Sequence, residues 1–329
     1  MQAKKRNIHR YRGILILFVI AAAFPFFIQS HYHINLMVFI GIYTLLALGL
    51  TLLLGYAGQV SLGQAGFYGM GAYVSGILTV KFGINPWMAL PVAIGITSIL
   101  AFFIGFSTLH LKGLYLAMAT LGVGIIFHIL FVELKDLTGG AIGLMDIPPL
   151  SIAGVKLDTD LKFYVLVWGI VLLIFFLITN LVNSRVGRGM RAVQGNEMAS
   201  NCFGVDSFKY KIKVFALSAA LASLSGFLYA HYINFLSPSV FDFSFSIIFL
   251  TMTIVGGRES IWGALYGATL LTLLPEFLRR YEDLNVMIWG LILVVVLIFF
   301  NRGIAGGLDI LMIKLKSRLG KKGEFSVGT

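Results

Sequence analysis

The chain has 329 residues, 58% of them hydrophobic and 12% charged, with a mean hydropathy of +0.92. Those values exclude an ordinary water-soluble domain and place the chain in the membrane class. A net charge of +11 does not indicate nucleic acid, because the basic residues sit at the chain ends and between apolar runs, where they orient membrane proteins.

The N-terminal MQAKKRNIHRYR precedes an apolar run from Gly13 that no A-x-A cleavage pattern follows, so it reads as a retained first helix with a basic cytoplasmic flank. Apolar stretches near bilayer-crossing length then recur along the chain. Ten are expected: Gly13 to Gln29, Leu36 to Leu54, Val60 to Val80, Trp87 to Leu109, Leu114 to Val132, Phe163 to Val182, Val214 to Ile233, Phe243 to Val255, Ile261 to Leu278 and Val286 to Phe300. The third is interrupted by glycine and the eighth is short, so each reads as a crossing, a re-entrant piece or a segment packed inside the bundle. With every stretch crossing once from a cytoplasmic N-terminus, 19 of the 25 Lys and Arg residues fall on the cytoplasmic side. That bias favours an all-α, polytopic integral membrane protein with about ten transmembrane helices and both termini cytoplasmic. Residues 1–12 and 303–329 then form cytoplasmic tails around a membrane domain spanning 13–302.

Within Gly55 to Gly76, Ala65, Gly69, Ala72 and Gly76 recur at spacings of three and four, which aligns them on one helix face and admits close packing of a second backbone. The polar Gln59, Ser61 and Gln64 precede that seam among glycines, a pattern that also suits a wall of a water-filled path. Gly256, Gly257, Gly263 and Gly267 invite the same packing argument. The outward loop from Glu133 to Lys162 carries TGGAIGL and Pro148-Pro149, which predict a turn-rich, non-helical surface: a landing site for an external partner or a plain connection. No convincing internal repeat emerges.

The longest conspicuously basic break is Ser184 to Lys213. It predicts one short amphipathic helix between turns, with Asn196 as N-cap, Glu197 in the first turn, Gly204 as a left-handed stop and Asp206 capping the next helix. Its basic residues flank that helix and orient the membrane domain. The single cysteine, Cys202, permits no intramolecular disulfide and is expected as a small buried side chain on the short helix.

His110, His128, Glu133, His231 and Glu276 fall near span ends, where burial costs little, so they make weak proton relays. No paired-carboxylate, H-E-x-x-H, G-x-S-x-G or phosphate-loop motif occurs, and no histidine cluster has metal spacing. The sequence therefore offers no catalytic residue, no metal site and no cofactor site, and any ATP-driven work must be done by another subunit.

Five ordered blocks carry a resemblance: LLLGYAGQVSLGQAGFYGMGAY, LKGLYLAMATLG, LTGGAIGL, GRGMRAVQGNEMASNCFGVD and IVGGRESIWGALYGA. Together, from the second span to about Asp309, they resemble the LivM-type permease of branched-chain amino-acid ATP-binding-cassette (ABC) importers. The resemblance implies a bacterial inner-membrane complex with a second homologous permease, two cytoplasmic ATPases that bind ATP and Mg, and an extracytoplasmic substrate-binding protein. It implies import of leucine, isoleucine and valine, with urea, short-chain amides or other amino acids as alternative cargo. A self-sufficient carrier or channel is the rival from another class. The resemblance also makes Glu197, Met198, Ala199, Ser200 and Gly204 the ATPase-coupling segment. Set against the family's EAA motif, however, Met198 stands where the glutamate belongs and Glu197 falls one residue early. Glu259 and Ala264 likewise replace the glycine and proline common in the last block.

Overall fold

The chain is built almost wholly of helices in a computed structural model that describes residues 2–27, 30–152, 155–278 and 303–307. Helix α1 (Gln2–Phe27) takes the basic flank into the same helix as the first apolar run. Helix α2 (His31–Leu50) continues through a π-helical turn at Thr51–Tyr56. The chain then opens over residues 58–63 before α3 (Gln64–Val80), so the glycine-interrupted third stretch is a broken helix. Helix α4 (Pro86–Thr108) starts where Asn85 accepts the Trp87 amide at 2.9 Å and Pro86 occupies the first turn, both favourable at an N-terminus.

After α5 (Leu114–Glu133), the loop over residues 134–159 is more ordered than a run of turns. It holds a four-residue helix α6 (Lys135–Thr138), a 3₁₀ turn at Gly140–Ile142, and a two-residue antiparallel ladder pairing Ser151 with Lys156 and Ile152 with Val155. Helix α7 (Asp160–Asn183) leads into α8 (Arg185–Gly195) and α9 (Glu197–Cys202), and α10 (Ser207–Ile233) returns through the bundle. Helices α11 (Phe243–Gly256) and α12 (Ile261–Leu278) follow. The tenth expected stretch, Val286 to Phe300, and most of the C-terminal tail lie outside the described residues.

Five segments are long and apolar enough to cross a membrane: His31–Tyr56, Pro86–Thr108, Leu114–Glu133, Asp160–Asn183 and Ser207–Ile233. Their burial sorts them into layers. The most apolar windows of the α2 and α10 segments are each 78% buried, against 28% for α4 and α5 and 33% for α7. The inner helices thus form the core, and the outer ones turn side chains such as Phe103, Tyr115 and Val165 outward as a face for hydrocarbon. Helix α3 has 17 residues and α11 has 14, about 26 and 21 Å at 1.5 Å per residue, short of a core of about 30 Å. Both pack inside the bundle.

The glycines of α3 divide the packing differently from the expected seam. Gly69 faces the Phe131 and Phe241 rings, and Gly76 faces Leu144, Ile147 and Leu236. The close backbone approach is made instead by Gly71, against Ser223 of α10, and by Gly226, against Tyr68 and Ala72 of α3. Gly256, Gly263 and Gly267 do bring the α11 and α12 backbones together, as their spacing suggested.

Candidate functional site: the loop helices and the broken helix

The sequence between Ser184 and Lys213 folds as two helices where one was expected. Ser184 opens α8 by accepting the amides of Val186 and Gly187 at 3.1 and 3.5 Å. The Arg191 guanidinium donates to the Val182 carbonyl at 2.8 Å and to Gly187 at 3.3 Å, binding α8 to the end of α7. Met190 and Val193 are buried beneath it.

A sharp turn at Asn196 starts α9. The Asn196 side chain accepts the Ala199 amide at 3.0 Å, and the Ser200 hydroxyl, 4% exposed, donates to the Asn196 carbonyl at 2.8 Å. Gly204 lies at φ +78°, where the Val205 amide reaches the Ser200 carbonyl at 3.0 Å and closes the helix. Asp206 accepts the Lys209 amide at 3.1 Å and caps α10; the Lys209 ammonium, 2.9 Å away, holds its carboxyl below the usual carboxylate range. A cap from Asn, a stop from Gly and a cap from Asp thus fix six helical residues in one orientation.

Glu197 pins that orientation to the bundle. Its carboxylate pairs with Lys211, whose side chain is 7% exposed, and lies 3.7 Å from the Lys112 ammonium between α4 and α5. Arg191 and Lys211 therefore build the module itself, a role beyond flanking charge. What α9 presents to solvent is apolar: Met198 is 78% and Phe203 86% exposed, with Ala199 exposed between them. Cys202 is exposed too, contrary to its expected burial. Sequence reasoning missed Phe203, although an aromatic residue directly before a stop glycine in a polar loop was its signal. Lys112 and Lys211 had no local signal at all.

The polar and small residues Gln59, Ser61, Gln64, Ala65, Gly69, Ala72 and Gly76 are all buried. The break before α3 exposes backbone amides, and hydroxyls on neighbouring helices accept them: Thr120 takes Leu62 at 3.0 Å and Ser246 takes Ala65 at 3.0 Å. The Ser61 hydroxyl accepts Gly63 at 3.4 Å, and the Gln64 amide donates to the carbonyl and hydroxyl of Ser218, each at 3.1 Å. The Gln59 carboxamide is 2% exposed, and neither its oxygen nor its nitrogen has a partner among the described residues. The two predicted groups meet at one place. Gly58 packs against Gln194 of α8, and a cavity of about 300 Å³ joins Ala57 and Gly58 to Lys112, Asn196 and Glu197.

No group of three or more His, Cys, Asp or Glu residues among those described is placed to hold a metal ion. His231, one of the five weak relay candidates by position, is buried at 1% exposure, its Nδ1 2.8 Å from the Pro148 carbonyl.

The family described as "Branched-chain amino acid transport system / permease component" matches residues 32–300. The high-affinity branched-chain amino acid permease protein LivM of Salmonella typhimurium is 31% identical over 94% of this chain and 78% of its own length. Its Escherichia coli counterpart is 30% identical over 88% of this chain and 74% of its own. A probable LivH permease protein of Methanocaldococcus jannaschii is 27% identical over 72% and 77%. No solved structure matches. With a match over most of its length and LivM relatives near one-third identity, the chain belongs to the family of branched-chain amino-acid transport permease components.

Proposed function

We propose that this chain is a transmembrane permease subunit of an ABC importer for leucine, isoleucine and valine. With a second, homologous permease it forms the translocation path; two cytoplasmic ATPases bind ATP and Mg and supply the work, and an extracytoplasmic binding protein delivers the cargo. The chain itself holds no cofactor. It crosses a bacterial inner membrane about ten times, with both termini and the α8–α9 module on the cytoplasmic side, as the distribution of 19 of 25 basic residues supports.

The observation that carries the reading is the α9 tip. A capped helix, braced by Glu197 against Lys112 and Lys211, offers Met198 and Phe203 to an outside partner. Exposed apolar side chains on an ordered helix suit a groove in another protein, and bracing lets a push on α9 reach the rest of the bundle. The small cavity shared with Gly58 supports Gln59, Ser61 and Gln64 as the first part of the path to feel that push.

Reconstitution in liposomes with the second permease, the ATPases and the binding protein tests the assignment. Leucine uptake is expected to require ATP, to exceed urea uptake, and to fall at least tenfold in the Met198→Ser/Phe203→Ser double variant, since each buried side chain contributes roughly 1.5–3 kcal/mol to a contact. Leucine uptake by this chain alone without ATP would mean a self-sufficient carrier and overturn the reading.

A further inference from the structure

A groove of about 720 Å³ runs between α1 and α7. Each wall is one helix face. Leu161, Val165, Gly169 and Leu172 recur at spacings of four, four and three on α7, and Phe18, Ala21, Ala22 and Pro25 face them from α1 at helical spacing. The groove is open to whatever surrounds the bundle: Phe18, Leu161 and Val165 are 57, 43 and 62% exposed, so a molecule lying in it touches them directly. Gly169 adds room, because no described atom of another helix lies within 4 Å of the position its side chain would take. Glycine weakens a helix interior, and here no close helix contact within the chain calls for it.

The polar atoms of the floor are used elsewhere. Pro25 has no N–H, which leaves the Ala21 carbonyl, four residues back, without its helical donor, and the Tyr164 hydroxyl donates to that carbonyl at 2.8 Å. The Trp168 indole N–H donates to the Met37 carbonyl at 3.2 Å. The two rings therefore turn only apolar surface toward the groove. Among the described lining residues the other polar side chains are His31 and Thr159, and both lie at one end, where α2 and α7 begin.

Helix α7 is a membrane-crossing segment whose most apolar window is only 33% buried, so the groove opens toward hydrocarbon. From Leu161 to Leu172 it follows α7 for about 17 Å at 1.5 Å per residue, against about 15 Å for one leaflet's half of the hydrocarbon core. An apolar groove does not hold water, and in a bilayer the medium at this depth is acyl chain. Leaflet-depth length, an apolar wall and polar groups confined to the end where α7 begins match one lipid tail beneath its own headgroup.

We propose that this groove binds one acyl chain of a phospholipid, with the headgroup at the His31–Thr159 end, as a resident lipid that completes the seam between α1 and α7. The site rests on the membrane placement of α7 and not on the import reading, because its occupancy is measured without ATP or transport.

The assembled complex in nanodiscs of phosphatidylcholine carrying a diazirine midway along one acyl chain tests it. After irradiation, residues 18–25 and 161–172 are expected to carry more label than residues 99–106 of α4, where Ile99, Phe102, Phe103 and Phe106 face outward without this groove. Gly169→Phe fills the groove and is expected to lower that label about tenfold, because a close-packed wall does not admit both a ring and a chain. Gly95→Phe on α4, at another glycine with open space beside it, is expected to leave the label at the wild-type level. Should Gly169→Phe fail to assemble, Ala22→Phe fills the groove from the opposite wall and decides instead. Equal label on the two stretches, or label unchanged by filling the groove, overturns the proposal. Label found on the isolated chain and absent from the complex gives the groove to another subunit and equally overturns it.

Discussion

Glu197 shows how much one side chain contributes to holding a short helix in place. The Lys211 ammonium is nearly buried, and a buried cation that loses its counter-charge is costly, whereas the 71%-exposed Lys112 adds little. Glu197→Gln is therefore expected to lower stability by about 1–3 kcal/mol. The Glu197→Gln/Lys211→Met double variant, which removes both charges, is expected to recover most of that loss. Thermal unfolding of the purified complex measures both, and an unchanged midpoint in Glu197→Gln would mean the pair does not brace α9. This pairing was hidden in the sequence because its partners lie 14 and 85 positions from Glu197. The caps were legible for the opposite reason. Asn196, Gly204 and Asp206 act on amides and carbonyls within a few residues, so residue type alone specifies their work. Gly71 sits between these cases. Its small size was visible, but only the fold reveals that it, and not Gly69 or Gly76, meets the α10 backbone.

At the scale of the element, α9 was anticipated and α8 was not. Helix α8 contains Gly187 and Gly189 and three arginines, a composition that reads as loop because glycine lowers helix propensity. Tertiary contact reverses that preference: Gly187 lies against Val182 and Gly189 against the Tyr210 ring, so the glycines are what let α8 settle on α7 and α10. Helix α9 depends instead on its stop. No atom lies near the position a Gly204 side chain would take, so a substitution there acts through the backbone alone. A β-branched residue at φ +78° costs roughly 1–2 kcal/mol, and asparagine tolerates the same conformation. Gly204→Val is expected to reduce ATP-driven leucine uptake several-fold in a stably assembled complex, while Gly204→Asn stays near wild type. Uptake equal to wild type in Gly204→Val would remove the rigid stop from the mechanism.

For the whole molecule, charge and contact give concordant pictures of two ends. Counting Lys and Arg groups Lys112, the α8–α9 module and Arg258 on one side. Independently, Tyr56 donates to the Glu259 carbonyl, Gly55 lies against Arg258, Gly58 against Gln194 and Lys112 near Glu197. At the other end, Trp87 donates to Ser151, Asn234 to Ile147 and Tyr232 to Asp160. Charge bias was readable because insertion acts on loops directly. The break between α2 and α3 was only half readable, since glycines mark an interruption but not the hydroxyls of other helices that satisfy it. Contact alone does not say which end faces the cytoplasm, and the chain carries its own reporter for that question. Cys202 is the sole cysteine and is exposed on α9, so a membrane-impermeant maleimide is expected to label it in inverted vesicles and not in intact spheroplasts. In a Cys202→Ser background, Asp158→Cys at the opposite end is expected to show the reverse pattern. Labelling of Cys202 from outside intact cells would invert the topology and put α9 beyond the reach of any cytoplasmic ATPase.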